Sequence, residues 1–169
     1  MAGTRTRSTK ALLCLTSAAE TEQRNMHMSG IIVVGVDESG TAKKAAESAR
    51  DLASALNASL HVVSAFDTDR TEVVGSGSDR LTVTAFDAAE HIARTVAESL
   101  GEHVKVTYSA ARGRPADALI QEAIRVEARV IVVGNHRMQG IGRVLGSVAN
   151  SVAHNAPCDV YIANTYDAD

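Results

Sequence analysis

Tryptophan is missing from this chain of 169 residues, and aromatic residues make up only 3% of it. Single-stranded nucleic acid is held on aromatic stacking platforms, so that class of partner is excluded. Positive charge is not in excess either: 17 Lys and Arg stand against 20 Asp and Glu, a net charge of −3. No basic field is available to attract a phosphate backbone. The two cysteines, Cys14 and Cys158, lie far apart without metal-ligand spacing. They suggest no disulfide framework, and a reducing, cytoplasmic setting is expected. The six histidines (His27, His61, His91, His103, His136, His154) form no i,i+4 pair and no HExxH, which argues against a metal site. No apolar run approaches the ~18 residues of a membrane span, so no membrane partner is expected.

The segment MAGTRTRSTKALLCLTSAAE has basic residues and then a short apolar patch, Ala11 to Leu15. A secretory signal needs ~7–15 apolar residues there. Residues 1–28 are therefore expected to be a disordered tail, and 29–166 a single domain. Met26 and Met28 stand just before the first strand and offer alternatives to Met1 as the start of translation.

From there the pattern alternates. GIIVVGVD (Gly30 to Asp37) is a continuous β-branched apolar run, as in a strand covered on both faces. Ala42, Ala45, Ala46, Ala49, Leu52, Ala53 and Leu56 then recur at helical steps, with Ser39 or Thr41 as cap and Asn57 as end. SLHVVSAF is a second strand, and DTDRTEVVGSGSDRLT reads as a loop. A second helix buries Ala85, Ala88, Ala89, Ile92, Ala93, Val96 and Leu100, with Gly101 at its C-terminal cap. HVKVTYS (His103 to Ser109) alternates like an edge strand. Pro115 opens a third helix with a stripe of Leu119, Ile120, Ala123 and Ile124. RVIVVG is a fourth strand. Val144, Leu145, Val148, Ala149, Val152 and Ala153 mark a fourth helix, Pro157 stops it, and CDVYIAN is the last strand. This order predicts an α/β fold: an open five-stranded, mostly parallel sheet with helices on both faces, Rossmann-like in outline.

Ligands of such sheets bind beyond the strand carboxyl ends at a topological switch point. Three features fall there. Asp37 follows the first strand, where it can accept hydrogen bonds from a ribose or meet a metal through water; it can equally serve as a cap or turn residue. In VVGNHRMQGIGRVLGSVANSVAH, Gly134 ends a strand and Gly146-Ser147 opens a helix whose free N–H groups and dipole favour an anion. The plainer alternative makes Gly140 and Gly142 loop residues and Ser147 a cap. Ser64-Ala65-Phe66 offers backbone groups to a base. Arg112, Arg114, Arg137 and Arg143 are available to neutralise phosphate, Arg137 best placed among them. A P-loop would need a lysine before Ser147, and no G-x-G-x-x-G follows the first strand. No G-x-S-x-G elbow supports a hydrolase triad.

IIVVGVDES, GRPADALIQEA and VIVVGN...GRVLGSVANSVAHNAPCDVYIA together resemble the universal stress protein family, from about Gly30 to Asn164. The resemblance implies a single-domain fold of the adenine nucleotide alpha hydrolase-like type. The family's nucleotide-binding branch carries G-x-x-G, nine residues, then G-[ST]. This chain is similar at Gly134 and at Gly146-Ser147, but Arg137 replaces the second glycine and eight residues separate it from Gly146. Either Gly140 takes over, with Arg137 reaching the anion as a charge, or the loop has lost its ligand. By this resemblance, Gly35, Asp37 and Ala65 would meet the nucleoside. Gly134, Asn135, Arg137, Gly140, Gly146, Ser147 and Val148 would hold phosphates of ATP or of a smaller adenine nucleotide such as AMP or cyclic AMP, with or without Mg2+. A homodimer through the last strand is implied, for which apolar Val160 and Ile162 suit an edge. Enzymatic activity is expected to be at most slow ATP hydrolysis. The alternative is a dimeric stress scaffold that binds no nucleotide and works through an unknown protein partner.

Overall fold

The computed structural model describes residues 30–67, 71–74, 81–135 and 145–165, with 71–74 and 81–83 as backbone alone. The elements in chain order are β1 (Ile31–Val36), α1 (Gly40–Ala55), β2 (Ser59–Phe66), β3 (Thr71–Val74), β4 (Leu81–Thr84), α2 (Ala85–Ser99), β5 (Val106–Arg112), α3 (Pro115–Arg125), β6 (Ala128–Asn135), α4 (Ser147–Asn155) and β7 (Asp159–Asn164). Five strands form one sheet in the order β5-β2-β1-β6-β7, and every neighbouring pair is parallel. The chain runs outward from β1 through β2 to β5, returns, and runs outward on the other side through β6 to β7.

The β-branched run of β1 is central because both its faces are covered. Ile32 and Val34 join a core with the alanines of α1 and with Ala93 and Ala97 of α2. Val33 points the other way, into a core with Leu119 and Ala123 of α3 and Ala149 and Val152 of α4. On α1 the buried positions Ala42, Ala45, Ala46, Ala49 and Ala53 are all alanine, so this helix lies close against the sheet. Ser39 caps α1 by accepting from the Ala42 N–H at 3.2 Å, and Asn57 beyond its end has φ +50. Gly101, with φ +77, follows α2 in the same left-handed conformation, which glycine adopts without strain.

Several expectations shift. The segment read as a loop after β2 contains the antiparallel pair β3-β4, because TEVV and LTVT are two short runs with strand-forming residues. The edge strand β5 begins three residues later than its alternation suggests and continues through Ala110 and Ala111, whose partners are Ser64 and Ala65 of β2. Along α2 the exposed Ala88 gives way to buried Ala97. Ala153 on α4 is exposed, and Leu145 precedes that helix rather than opening it. On α3, Ile124 is 53% exposed while Glu122 is buried at 8%.

A buried carboxylate needs partners, and Glu122 has them on two strands. His61 Nε2 lies 2.9 Å from Glu122 Oε1. The Ser109 hydroxyl donates to the same oxygen at 2.7 Å and lies 3.0 Å from the imidazole nitrogen. His61 Nδ1 meets the Thr107 hydroxyl at 2.7 Å. From the solvent side, Arg125 donates Nε to Oε2 at 2.9 Å and Nη2 to Oε1 at 2.5 Å. These bonds pin α3 across β2 and β5. Chiefly through Arg125, and further through Ser109 and His61, they overcome burial and hold the Glu122 carboxyl at about 2 instead of its ordinary 4.5.

Because the folded value lies below the unfolded one, this carboxylate stabilises the fold fully above pH 4.5, and the contribution vanishes as pH falls through about 2. Glu122→Gln is expected to lose about 1.5–3 kcal/mol at neutral pH, the value of bonds to a charged group. The variant's stability should fall less than the parent's between pH 4.5 and 2. Urea unfolding across that range measures both, and parallel curves would contradict the assignment.

Candidate functional site

Where the chain turns back beside β1, the carboxyl ends of β1 and β6 diverge and a cleft opens, of about 280 Å³. Gly35 and Asp37 line it from β1 and the turn after it, and Ala65 from β2. Gly134 comes from β6, while Gly146, Ser147 and Val148 come from the start of α4. Seven of the residues singled out in the sequence therefore meet at one place. Asn135 does not line it: this residue is buried, and its carbonyl accepts from the Thr165 hydroxyl at 2.9 Å. Arg137 and Gly140 lie outside the described residues.

Asp37 is not the helix cap; Ser39 is. The Asp37 carboxylate is exposed and accepts through Oδ1 from the Ser39 N–H at 2.9 Å and from the Ser39 hydroxyl. The Ser39 and Thr41 hydroxyls lie 2.8 Å apart. Both of these residues also line the cleft, so its α1 side carries a carboxylate and two hydroxyls. Asp37 is the only charged residue among the described lining residues.

The opposite side is the beginning of α4. Its N-cap is Gly146, so Ser147 is the first helical residue rather than the cap. No side chain caps the helix and its first turn holds no acidic residue. The first N–H groups of a helix have no intrahelical partner, and the macrodipole adds partial positive charge there. This end of the cleft thus offers N–H donors without a cationic side chain among the described residues.

The glycines divide into two kinds. A Cβ on Gly134 would lie 3.2 Å from Thr165 Cγ2 and 3.3 Å from Ala45 Cβ, so a side chain there fits only if α1 or Thr165 gives way. A Cβ on Gly35 would lie 2.6 Å from Leu119 Cδ1. Among the described residues nothing stands within 4 Å of a Cβ at Gly146, and its φ of −59° suits any residue. No described neighbour gives that third glycine a steric reason.

The remaining wall is apolar: Val36, Val63, Pro115, Leu119 and Val133. Sequence patterning places Leu119 on a helix stripe and Pro115 at a helix start, both accurately. Their second role was hidden, because a residue that floors a cleft has the same helical spacing as one that fills a core. Cys158 supplies no nucleophile: burial, with the neighbouring Asp159 carboxylate, pushes its thiol up, which keeps it protonated at neutral pH.

Crossovers on both sheet faces define an α/β protein whose cleft lies at the switch point, the place where open parallel sheets bind ligands. The universal stress protein family model matches residues 28–164, and the chain belongs to that family. It is 33% identical over 146 residues to universal stress protein Rv1636 of Mycobacterium tuberculosis, covering 79% of this chain and 95% of that one. It is 30% identical over 132 residues to universal stress protein A homolog 1 of Coxiella burnetii, covering 76% and 92%. The fold is similar to the crystal structure of a universal stress protein in complex with cAMP, with TM-score 0.61 and 30% identity over 81% of this chain and 98% of that chain.

The two kinds of glycine give different expectations for stability. Gly134→Ala should destabilise by about 1–3 kcal/mol through overpacking against Thr165 and Ala45. Gly146→Ala should cost less, at most about 1 kcal/mol, through the preference of a helix N-cap for glycine over alanine rather than through overpacking. Chemical denaturation of both variants decides; equal losses would refute the distinction.

Proposed function

We propose that this protein is a regulatory module that binds an adenine nucleotide in the switch-point cleft. The preferred ligand carries a single phosphate, as in AMP or cyclic AMP. The observation that carries this reading is the start of α4. It is an uncapped helix end with no described neighbour crowding Gly146, facing a cleft whose other side presents Asp37. A phosphate takes the N–H groups of α4, the ribose hydroxyls are within the chemistry of Asp37, and the base fills the apolar end between β1, β2 and α3. The relative solved with cAMP supports the ligand class.

Charge among the described lining residues favours a small phosphate group; Arg137 and Arg143 lie outside them. A triphosphate brings several negative charges near Asp37, and no lysine or arginine stands among the described lining residues to offset them. A helix end favours an anion by typically 0.3–1 kcal/mol at exposed sites, which suits a mono- or diester better than ATP. Mg2+ would be needed to bring ATP in, with Asp37 the residue available to meet it. The working form is a cytoplasmic homodimer built through β7, an edge strand whose Tyr161 is 45% exposed and whose Val160 and Ile162 are only partly buried. Such an edge invites pairing with a second copy. The domain spans 29–166, preceded by the tail.

Thermal and chemical denaturation with AMP, cyclic AMP, ADP and ATP tests this directly. A ligand at about 100 times its Kd stabilises the fold by ~2.7 kcal/mol. AMP or cyclic AMP should do so at lower concentration than ATP without Mg2+. Absence of a shift with all four, and no nucleotide released from the freshly purified protein on denaturation, would refute the reading and leave the dimeric scaffold.

A further inference from the structure

The residue that decides what enters the cleft is on α3. We propose that Leu119 is its specificity-determining residue. Seated in the volume that Gly35 leaves empty, it forms the floor of the base end and excludes bases substituted on the edge that faces it. This deepens the nucleotide-binding reading above and rests on it.

Leu119 lines the cleft and yet is only 3% exposed, the position of a floor rather than a rim. Its isobutyl group reaches the β1 backbone: an ideal Cβ on Gly35 would lie 2.6 Å from Cδ1, 3.0 Å from Cδ2 and 3.3 Å from Cγ. A contact under 3.0 Å forces a shift, and the atoms met here are the end of the Leu119 side chain, so a Cβ at 35 is admitted only by moving Leu119 from its place against β1. Around the same end stand Val63 and, one turn earlier on α3, Pro115. None of these side chains carries a hydrogen-bonding atom. Only backbone groups and shape are left to discriminate between bases there, and the length of residue 119 fixes the shape. The floor is also held in place. One turn beyond Leu119, Glu122 is bonded to His61 and Ser109, so α3 cannot slide along the sheet without breaking bonds to a buried charge.

The test is a double-mutant cycle read by calorimetry. AMP and AMP analogues substituted at C2, N6 or C8 of the base are titrated into the parent, Leu119→Ala, Gly35→Ala and the double variant. Far-UV circular dichroism is recorded on each, and Leu119→Val replaces the alanine wherever the latter does not fold. Removing the floor should improve the affinity for at least one bulky analogue, relative to AMP, by about tenfold or more, the scale at which hydrophobic pockets discriminate. Gly35→Ala, which must displace Leu119, should weaken AMP by about tenfold. The double variant should recover most of that loss, a non-additivity expected of residues in contact. Unchanged analogue-to-AMP ratios, or an additive cycle, in proteins that bind AMP would overturn this inference alone. Failure of the parent to bind AMP would overturn the nucleotide reading and this inference with it.

Discussion

The fold depends on β1 being paired on both sides by parallel neighbours. β2 lies on one side and β6 on the other, and the chain reaches them by crossovers on opposite faces of the sheet. A right-handed crossover leaves no other arrangement once the direction of travel reverses. With helices departing to opposite faces, the strand ends between them cannot be covered by either. The cleft is the consequence of that reversal, and the residues at its edges are those that follow or end β1, β2 and β6. Asp37, Ala65 and Gly134 are brought together by topology alone, although some seventy residues separate Ala65 from Gly134 in the chain.

The two faces are packed differently. Against α1 the sheet meets alanines, with every fully covered position on that helix lacking a longer side chain. The helix therefore sits close, and a side chain at Gly134 would crowd the start of that helix. On the other face α3 stands off by the length of Leu119 and is tied down by Glu122. A carboxylate at the sheet surface is unfavourable unless every lone pair is used. Here three donors on two strands and one helix use them, and Arg125 brings a compensating charge from solvent. This network fixes the azimuth of α3, which a stripe of apolar contacts alone fixes less sharply.

Much of this was legible in the sequence, and each failure has its own physical cause. The buried strands β1, β2 and β6 announce themselves because apolarity on both faces leaves a continuous run. The caps at Ser39, Asn57 and Gly101 are legible because each is a local demand on one residue. The hairpin β3-β4 was not, since its strand-forming runs are four residues long and lie within a polar, glycine-rich stretch. Glu122 and Ile124 exchanged places for a different reason. Hydropathy assigns glutamate outward, and only the partners that converge on it, Arg125 on its own helix with Ser109 of β5 and His61 of β2, make the inward carboxylate affordable. Of the residues that line the cleft, Asp37, Ala65 and Gly134 were singled out at strand ends and Gly146-Ser147 at a helix start, while Gly35 and Val148 came from the family resemblance. Leu119 was not singled out, because the clash that defines it with Gly35 is a contact between elements.

Glycine at a strand end or helix start has more than one physical origin, and the three glycines here separate them. Gly35 is packed by Leu119 and Gly134 by Ala45 and Thr165, so both are crowded whether or not the cleft holds anything. Gly146 has no described neighbour to avoid and no left-handed angle to adopt. A helix start gains stability from Ser, Asn or Asp at the N-cap, by about a few tenths of a kcal/mol over glycine. A side chain of that kind at 146 would satisfy the N–H groups of α4 from within the protein. Glycine there forgoes that hydrogen bond, and the N–H groups stay available. That trade is unfavourable for a scaffold whose cleft is empty. It is what an anion site requires, since an internal acceptor at the cap would compete with the phosphate for the same donors. Position 146, rather than the count of glycines in the loop, is therefore where the proposed anion site bears on the protein's own energetics.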